Sequence, residues 1–560
     1  MGTMADAAAA VGETVRELRE AYEGGRTRSL AWRQAQLRGL LRMLKEKEVE
    51  AFQALHVDLG KHRAEAYRDE VGVLTKSANG ALQQLGRWMA PERVKAMKDA
   101  SSIQLAIPLT LEALTPVYRL RRMQVWVPLI AWPATAQVVP EPLGVVLIFS
   151  CWNFPLGLSL EPLIGAIAAG NAVALKPSEL SPCTARFLAD NIGKYMDASA
   201  VKVVEGGPDV GEQLMEQRWD KVLFTGKPHH PQPKHSPPSI SCRAKREPIS
   251  FTCVCFYVCL TTGSPRIARS VMAAASRHLT PVALELGGKC PCIFEPMGNA
   301  RELQISVNRI IAGKWSSCAG QACIAIDYVL VEERFAPILV HLHSSCLINM
   351  HVNHIHGFTR GYCIYISDMP FFVPVHAYAF ARSEDQDAQG DAEEVLPGNG
   401  YIEPTILLNP PLDSAIMTEE IFGPLLPIIT VKKIEDSIDI IKAMPKPLAI
   451  YAFTRDATLR RRIVDETSSG SVTFNDAIVQ YAIDGLPFGG VGQSGFGQYH
   501  GKYSFDMFSH KKAVMKRGFL IELRLRYPPW EESNVTLMRY LYRFNYVAFV
   551  FYFLLLGLKR

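Results

Sequence analysis

The sequence predicts an α/β protein organised around a parallel sheet. Three observations predict it. Short apolar runs read as buried strands: Val145-Val146-Leu147-Ile148-Phe149, Ala172-Val173-Ala174-Leu175, Val201-Lys202-Val203-Val204 and Lys221-Val222-Leu223-Phe224. Helical stretches over 163–169 and about 185–196 alternate with them. Such alternation builds a parallel sheet of the dinucleotide-binding kind. Polar residues (Asn153, Lys176, Glu205 and Thr225-Gly226) then fall at the carboxyl ends of the strands, where ligands of these sheets bind.

The composition fits that reading. With 560 residues, 48% of them hydrophobic and 21% charged, the chain can build two or more domains with ample cores. A net charge of +5 is small for this length, and no basic run is interleaved with aromatics, so nucleic acid is not the expected partner. Twelve cysteines without framework spacing suit a reducing compartment. The N-terminus lacks the compact apolar segment of a secretory signal.

In chain order, residues 5–90 read as helical: Val15, Leu18 and Ala21, then Leu37, Leu40, Leu41 and Leu44, recur at spacings of three and four. The charges between them read as solvated surface. Beyond the four strands, a helix is expected over 267–278, then the strand Val282-Ala283-Leu284, then a helix near 303–314.

Three short stretches carry chemistry. Gly320-Gln321-Ala322-Cys323 places a thiol just ahead of Ile324-Ala325-Ile326-Asp327-Tyr328-Val329-Leu330, an apolar run that reads as a buried strand. Only a thiolate attacks, and by itself a lone cysteine is more often a small core residue. Leu284-Glu285-Leu286-Gly287-Gly288-Lys289 ends an apolar strand with a carboxylate, which as a structural residue would be one half of a salt bridge. Trp152-Asn153-Phe154-Pro155 ends another strand with an amide. Thiol, amide and carboxylate are the parts needed to attack a carbonyl, hold its oxyanion and activate a water.

Further stretches match in the same order: Pro140-Glu141-Pro142-Leu143-Gly144-Val145-Val146, Ala174-Leu175-Lys176-Pro177-Ser178-Glu179, Phe224-Thr225-Gly226, Thr418-Glu419-Glu420-Ile421-Phe422-Gly423-Pro424, and Phe474-Asn475-Asp476 with Leu486-Pro487-Phe488-Gly489-Gly490-Val491-Gly492. Together they resemble the aldehyde dehydrogenase superfamily, in its class 3, fatty-aldehyde branch. The resemblance implies a Rossmann-type coenzyme domain, an α/β catalytic domain and a small bridging arm. On the chain it implies an N-terminal helical region (1–95), the coenzyme domain (127–290), the catalytic domain (291–465), a bridging and oligomerisation part (466–530) and a hydrophobic tail (540–560).

The resemblance also implies roles. Cys323 is the nucleophile, Glu285 the general base, and Asn153 with the backbone N–H of Cys323 the oxyanion site. Lys176, Glu179, Thr225, Gly226, Ser264, Glu420 and Phe422 hold the coenzyme. No metal is implied. A lysine at the end of the second strand can bond ribose hydroxyls without repelling a 2′-phosphate, so NAD and NADP both stay open. The implied substrate is a medium- or long-chain aliphatic aldehyde, and the implied assembly a homodimer. Gly490-Val491-Gly492-Gln493-Ser494-Gly495 satisfies G-x-G-x-x-G but does not sit between a strand and a helix, so it is not read as the dinucleotide fingerprint. In the resemblance it belongs to the turn after the substrate-side strand.

Three stretches depart from the family pattern. Residues 96–126 and 227–263 read as inserts, the second Pro- and His-rich at its start and Cys-rich at its end. Residues 341–394 replace a family segment with histidines and aromatics. Neither Cys253, Cys255 and Cys259 nor the histidines from His341 to His376 have zinc spacing. These departures keep a second reading open, an isoform without catalysis; a cysteine hydrolase or acyltransferase is a third. The uncharged run from Phe544 to Leu558 is shorter than the ~20 residues of a spanning helix. It reads as a C-terminal anchor or interfacial segment, placing the chain in the cytoplasm against the endoplasmic reticulum membrane.

Overall fold

Val145–Phe149 is buried at every residue and pairs in parallel with Ala172–Lys176 on one side and Lys221–Thr225 on the other. A strand flanked on both sides needs apolar residues on both faces, which its uninterrupted Val-Val-Leu-Ile-Phe run supplies. The sheet continues outward to Val201–Val203 and, beyond Lys221–Thr225, to Val282–Glu285. Gly495–Phe496 closes it as a short antiparallel edge, with Gly495 opposite Glu285.

The computed structural model describes residues 4–96, 126–127, 134–226, 264–296, 298–343, 373–374, 404–519, 522, 526–543 and 545–558. The inserts expected at 96–126 and 227–263, the replaced segment 341–394 and their cysteine and histidine candidates fall almost wholly outside these residues. The described chain divides into two units, Met1–Trp88 with Pro142–Ser509, and Met89–Glu141 with His510–Arg560.

The first unit holds the six-stranded sheet and a second, seven-stranded one. The latter runs in the order Val373–Pro374, Thr405–Leu408, Leu425–Val431, Tyr328–Glu332, Pro291–Phe294, Ala449–Phe453 and Ser471–Phe474, parallel except at its first pair. Ala300–Trp315 packs Val307, Ile310, Ile311 and Trp315 into this sheet's core. Helices Met4–Glu23 and Leu30–Glu46 lie over the six-stranded sheet, where Val11, Val15 and Leu18 join its core. Gly39 is what lets Leu30–Glu46 approach Pro182–Tyr195: a Cβ there would sit 2.1 Å from the Tyr195 carbonyl oxygen.

The second unit is a four-stranded sheet, ordered Ser509–Lys516, Thr135–Pro142, Glu92–Ala96, Trp126–Val127, and a helical hairpin, Glu532–Tyr542 and Tyr546–Leu558. The hairpin closes on Leu537, Leu541 and Phe549.

Several expectations shift. The coenzyme sheet does not begin at 127, because Trp126–Val127 and Thr135–Pro142 belong to the small sheet. The part expected to bridge from 466 instead gives Ser471–Phe474 to the seven-stranded sheet and Gly495–Phe496 to the six-stranded one. The strand after Cys323 starts only at Tyr328: the Ala325 N–H bonds the Ala322 carbonyl and the Ile326 N–H bonds Gly313, which makes this stretch a turn. The N-terminal charges are not all solvated, since Arg33, Lys61 and Glu70 are buried.

A Gly39→Val substitution should lower stability by about 2–3 kcal/mol, because a branched side chain meets backbone that cannot move away. Denaturant unfolding checks this; an unchanged midpoint would contradict the close approach.

Candidate active site

All the residues expected at the site lie in the first unit, most at carboxyl ends of the six-stranded sheet. Asn153 follows the Phe149 strand end and is 2% exposed. Its Nδ2 donates to the Gln321 carbonyl at 2.8 Å, two residues before Cys323. A carboxamide has two N–H donors, so this bond uses one and leaves the other. Among the described residues its Oδ1 has no hydrogen-bond partner.

The loop that carries Cys323 is built from strained backbone. Cys318 (φ 48°), Ala319 (φ 52°) and Gly320 (φ 84°) are successively left-handed. Such runs cost energy and persist where surrounding contacts over-determine them. Here the Cys318 N–H donates to Glu65 at 2.7 Å, and the Gln321 N–H and Nε2 both donate to the Cys318 carbonyl at 2.9 Å. Gly320 is required twice over, since a Cβ there would also sit 2.5 Å from the Gly423 carbonyl. Cys323 is half-buried against the catalytic core, and the Cys290 thiol donates to its carbonyl at 3.4 Å. Cys318 is a different kind of thiol: burial pushes its pKa up to about 12, which keeps it protonated and inert.

Glu285 ends its strand opposite Thr225, with the Gly226 N–H donating to its carbonyl at 3.3 Å. The side chain is 4% exposed, and among the described residues its Oε2 has no hydrogen-bond partner. Burial pushes this carboxyl well above the usual carboxylate range. Two residues on, Gly287 makes room for Glu420, whose Oε2 would lie 2.3 Å from a Cβ at that glycine. Phe422, itself left-handed (φ 47°), sets its ring edge-on to Trp152 at 5.7 Å, beside Asn153.

Lys176 is buried at its strand end and ion-paired with Glu179. Glu179 also lines an open groove of about 520 Å³ with Pro177, Cys183, Arg186 and Glu205, and Arg186 pairs with Glu205 at 3.1 Å. Ser264 opens the helix Ser264–Ser276 on the far side of the expected insert. The G-x-G-x-x-G stretch does neighbour the site, though as edge backbone: a Cβ on Gly495 would lie 2.0 Å from the Leu284 carbonyl.

Two buried ion pairs that sequence reasoning missed hold these pieces. Lys61 Nζ bonds Glu70 at 2.6 Å and the Asn153 carbonyl at 2.8 Å. Glu70 accepts from the Leu156 and Gly157 N–H groups at 2.8 and 3.0 Å, at the start of Gly157–Ala169. It sits on a π-helical turn, Tyr67–Val71, a local widening frequent at functional sites. Lys289 pairs with Asp327 and donates to the Ile416 and Glu419 carbonyls at 2.8 and 3.0 Å, while Asp327 accepts from the Ile421 N–H at 3.1 Å. That pair fixes the segment bearing Glu420 and Phe422. An acid inside the apolar run 324–330 was the available signal for Asp327; nothing local marks Lys61 as Asn153's neighbour.

The sequence profile of the Aldehyde dehydrogenase family matches residues 1–230 and 256–514. The chain belongs to the aldehyde dehydrogenase family. Among curated relatives, Aldehyde dehydrogenase family 3 member F1 of Arabidopsis thaliana is 44% identical over 98% of this chain and 99% of its own length. Aldehyde dehydrogenase family 3 member A2 of Mus musculus is 36% identical over 93% and 92%. A solved structure of Staphylococcus aureus AldH in a substrate-bound state superposes with a TM-score of 0.72, at 31% identity and covering 97% of this chain and 99% of that one. This aldehyde dehydrogenase therefore oxidises aldehydes with NAD or NADP by the cysteine mechanism general to the family. The family assignment selects dehydrogenase over the hydrolase or acyltransferase reading. The profile match breaks only at 231–255, inside the stretch expected as the second insert.

Replacing Lys61 by Met should cost about 3–5 kcal/mol in unfolding free energy, since it leaves the Glu70 charge buried without its partner. It should also lower kcat by releasing the Asn153 loop. A Lys61→Met enzyme with parental stability would remove this pair from the account.

Proposed function

We propose that this aldehyde dehydrogenase acts on medium- to long-chain aliphatic aldehydes, with Cys323 as nucleophile, Asn153 as oxyanion donor and Glu285 as base. One observation carries the assignment. The Asn153 amide is bonded to the backbone two residues before Cys323, while the buried Glu285, whose Oε2 has no hydrogen-bond partner among the described residues, ends another strand of the same sheet. The coenzyme residues fit NAD(P): Lys176, Thr225 and Gly226 stand at strand ends, Glu179 pairs with Lys176, Gly287 supplies close approach for Glu420, and Ser264 and Phe422 complete the set. When bound, the oxidised nicotinamide accepts the hydride.

Cys323 attacks the aldehyde carbon as a thiolate and forms a thiohemiacetal. Its oxyanion accepts from the free Asn153 N–H and the Cys323 backbone N–H. After hydride loss the substrate is a thioester on Cys323. Glu285 takes a proton from a water that attacks this thioester, the C–S bond breaks with its electron pair on sulfur, and the carboxylic acid leaves. Because burial favours the protonated Glu285, only the ionised fraction works, and the hydrolytic step speeds up as pH rises through its raised pKa. Cys323 packs against the same apolar core as Ile478 and Tyr481, a core that includes Phe488, and such a lining suits an aliphatic tail.

The second unit supports two finer features, membrane association and a homodimer. Tyr546–Leu558 spans only 13 residues, about 20 Å, short of a ~30 Å hydrocarbon core. Among the described residues no helix is long and apolar enough to cross a membrane. Its exposed Val547, Phe551, Leu554 and Leu555 suit lying in the surface of a membrane. The strand Ser509–Lys516 is exposed along nearly its whole length at a sheet edge, which supports a homodimer.

Cys323→Ala should abolish NAD(P)H formation from a medium-chain aldehyde, and Glu285→Gln should slow turnover by about 10²-fold or more while removing the acidic limb of the pH profile. Full activity in Cys323→Ala would end the scheme. Glu179 places a negative charge in the coenzyme groove, so Glu179→Gln should raise kcat/KM for NADP relative to NAD roughly tenfold. Removing residues 540–560 should abolish flotation with anionic liposomes; undiminished flotation would exclude the tail as the contact.

A further inference from the structure

Each thioester hydrolysed leaves one proton on Glu285, and that carboxyl is buried. The proton has to leave before the next turnover. On the aldehyde side of the site stands a series of buried acid–base groups that the mechanism above does not use.

The charges of Glu285 and Cys323 both act on the Tyr499 hydroxyl. The Tyr499 ring lies 4.7 Å from that of His500, and the His500 ring 4.9 Å from that of Tyr481. The Tyr481 hydroxyl lies against the first residue of Gly157–Ala169, 3.7 Å from where a Cβ on Gly157 would be. One helical turn further along the same face is Glu161. Glu161 is 1% exposed, and Ser77 hydrogen-bonds it. The Ser77 hydroxyl reaches the Asp484 carboxylate at 3.5 Å, and Asp484 pairs at 2.8 Å with Lys76, both partly exposed. Among the described residues, Glu161 Oε2 and His500 Nε2 are buried without hydrogen-bond partners. Buried polar atoms rarely stay unpaired, and a site with several of them is where bridging water belongs.

We propose that Glu161, through Tyr481 and His500, carries the proton collected by Glu285 out to solvent at the Lys76–Asp484 pair. The proposal rests on the roles given to Cys323 and Glu285. The relay moves protons only: one O–H bond breaks as the next forms, water bridges the gaps between side chains, and the proton is released to bulk water beside Asp484. Neutral His500 passes it from one ring nitrogen to the other. Burial, helped by Asp484 and opposed by Ser77 and Lys76, pushes Glu161 up to about 7, where a carboxyl both accepts and releases protons. The groups facing it are Lys76 and Ser77 from Gly72–Met89, and Tyr481 and Asp484 from the loop after Ser471–Phe474; Tyr499 and His500 complete the route.

The test isolates hydrolysis from hydride transfer by acylating the full chain with para-nitrophenyl acetate and no coenzyme. The parent should give a burst of nitrophenolate, then steady release limited by deacylation. Glu161→Gln should keep the burst, slow the steady phase about tenfold, enlarge its solvent deuterium isotope effect and lose the inflection near pH 7; Glu161→Asp should restore much of the rate. Ser77→Ala removes the bond that lowers the Glu161 pKa, so it should move the inflection to higher pH, and it supplies the test should Glu161→Gln fail to fold. A parental steady phase and isotope effect in Glu161→Gln, or an unmoved inflection in Ser77→Ala, would overturn the relay. A burst that falls together with the steady phase would overturn it too, by marking a structural role. A parent chain that forms no acyl-enzyme overturns the proposed function, and the relay with it.

Discussion

The site depends on one buried ion pair, Lys61 with Glu70. Charges removed from water are costly unless they are paired and their remaining donors and acceptors are satisfied. This pair meets both conditions by reaching into the nucleotide-binding sheet: Lys61 takes the Asn153 carbonyl and Glu70 takes the first N–H groups of Gly157–Ala169. The carboxylate at that helix start also lies where the helix dipole favours negative charge. Satisfying the pair therefore fixes the loop between strand and helix, and that loop carries Asn153, the proposed oxyanion donor. The N-terminal helices are part of the active site's frame, although none of their residues has been given a chemical step.

The rest of the arrangement is a matter of close approach. The sheet delivers Lys176, Thr225 and Glu285 to one edge because parallel strands share a direction. The second sheet delivers Cys323 and Glu420 through loops whose backbones must touch. Gly320 against the Gly423 backbone and Gly287 against the Glu420 carboxylate are two contacts where an added side chain would intrude. The left-handed run Cys318–Ala319–Gly320 turns the chain into that contact, and bonds from Glu65 and Gln321 hold it there. Lys289 and Asp327 do for the Glu420 segment what Lys61 and Glu70 do for Asn153. Each chemical group is thus placed by a buried charge pair or a glycine contact lying one layer behind it.

Much of this was legible in the sequence, for definable reasons. The strands 145–149, 172–176 and 221–225 were readable because strands buried on both faces are apolar throughout. Cys323, Glu285 and Asn153 could be proposed as a set because each stands beside a recognisable strand end or glycine turn, and the structure brings the Asn153 amide to the Cys323 loop. Lys61 and Glu70 were not, because nothing in a helical stretch distinguishes a charge that faces solvent from one that meets a partner 92 residues away. The turn at 324–327 was misread as strand because Ile-Ala-Ile is equally apolar in either state; what decides is Asp327, held by Lys289 across the fold. The G-x-G-x-x-G stretch was rightly set aside as a fingerprint, but its role as backbone laid along the Glu285 strand has no local signature. Boundaries moved where a short strand joined a sheet distant in sequence, as Gly495–Phe496 does.

The central claim is that Cys323, and no other thiol, carries the acyl group. Cys318 lies five residues away in the same loop, so activity alone does not separate the two as well as direct detection does. The measurement is peptide mass spectrometry on the Glu285→Gln chain quenched after mixing with aldehyde and NAD, since loss of the base should leave the thioester in place. The account predicts the acyl mass on Cys323 with Cys318 unmodified. Acyl mass on Cys318, or none on either thiol while NADH is formed, would contradict it.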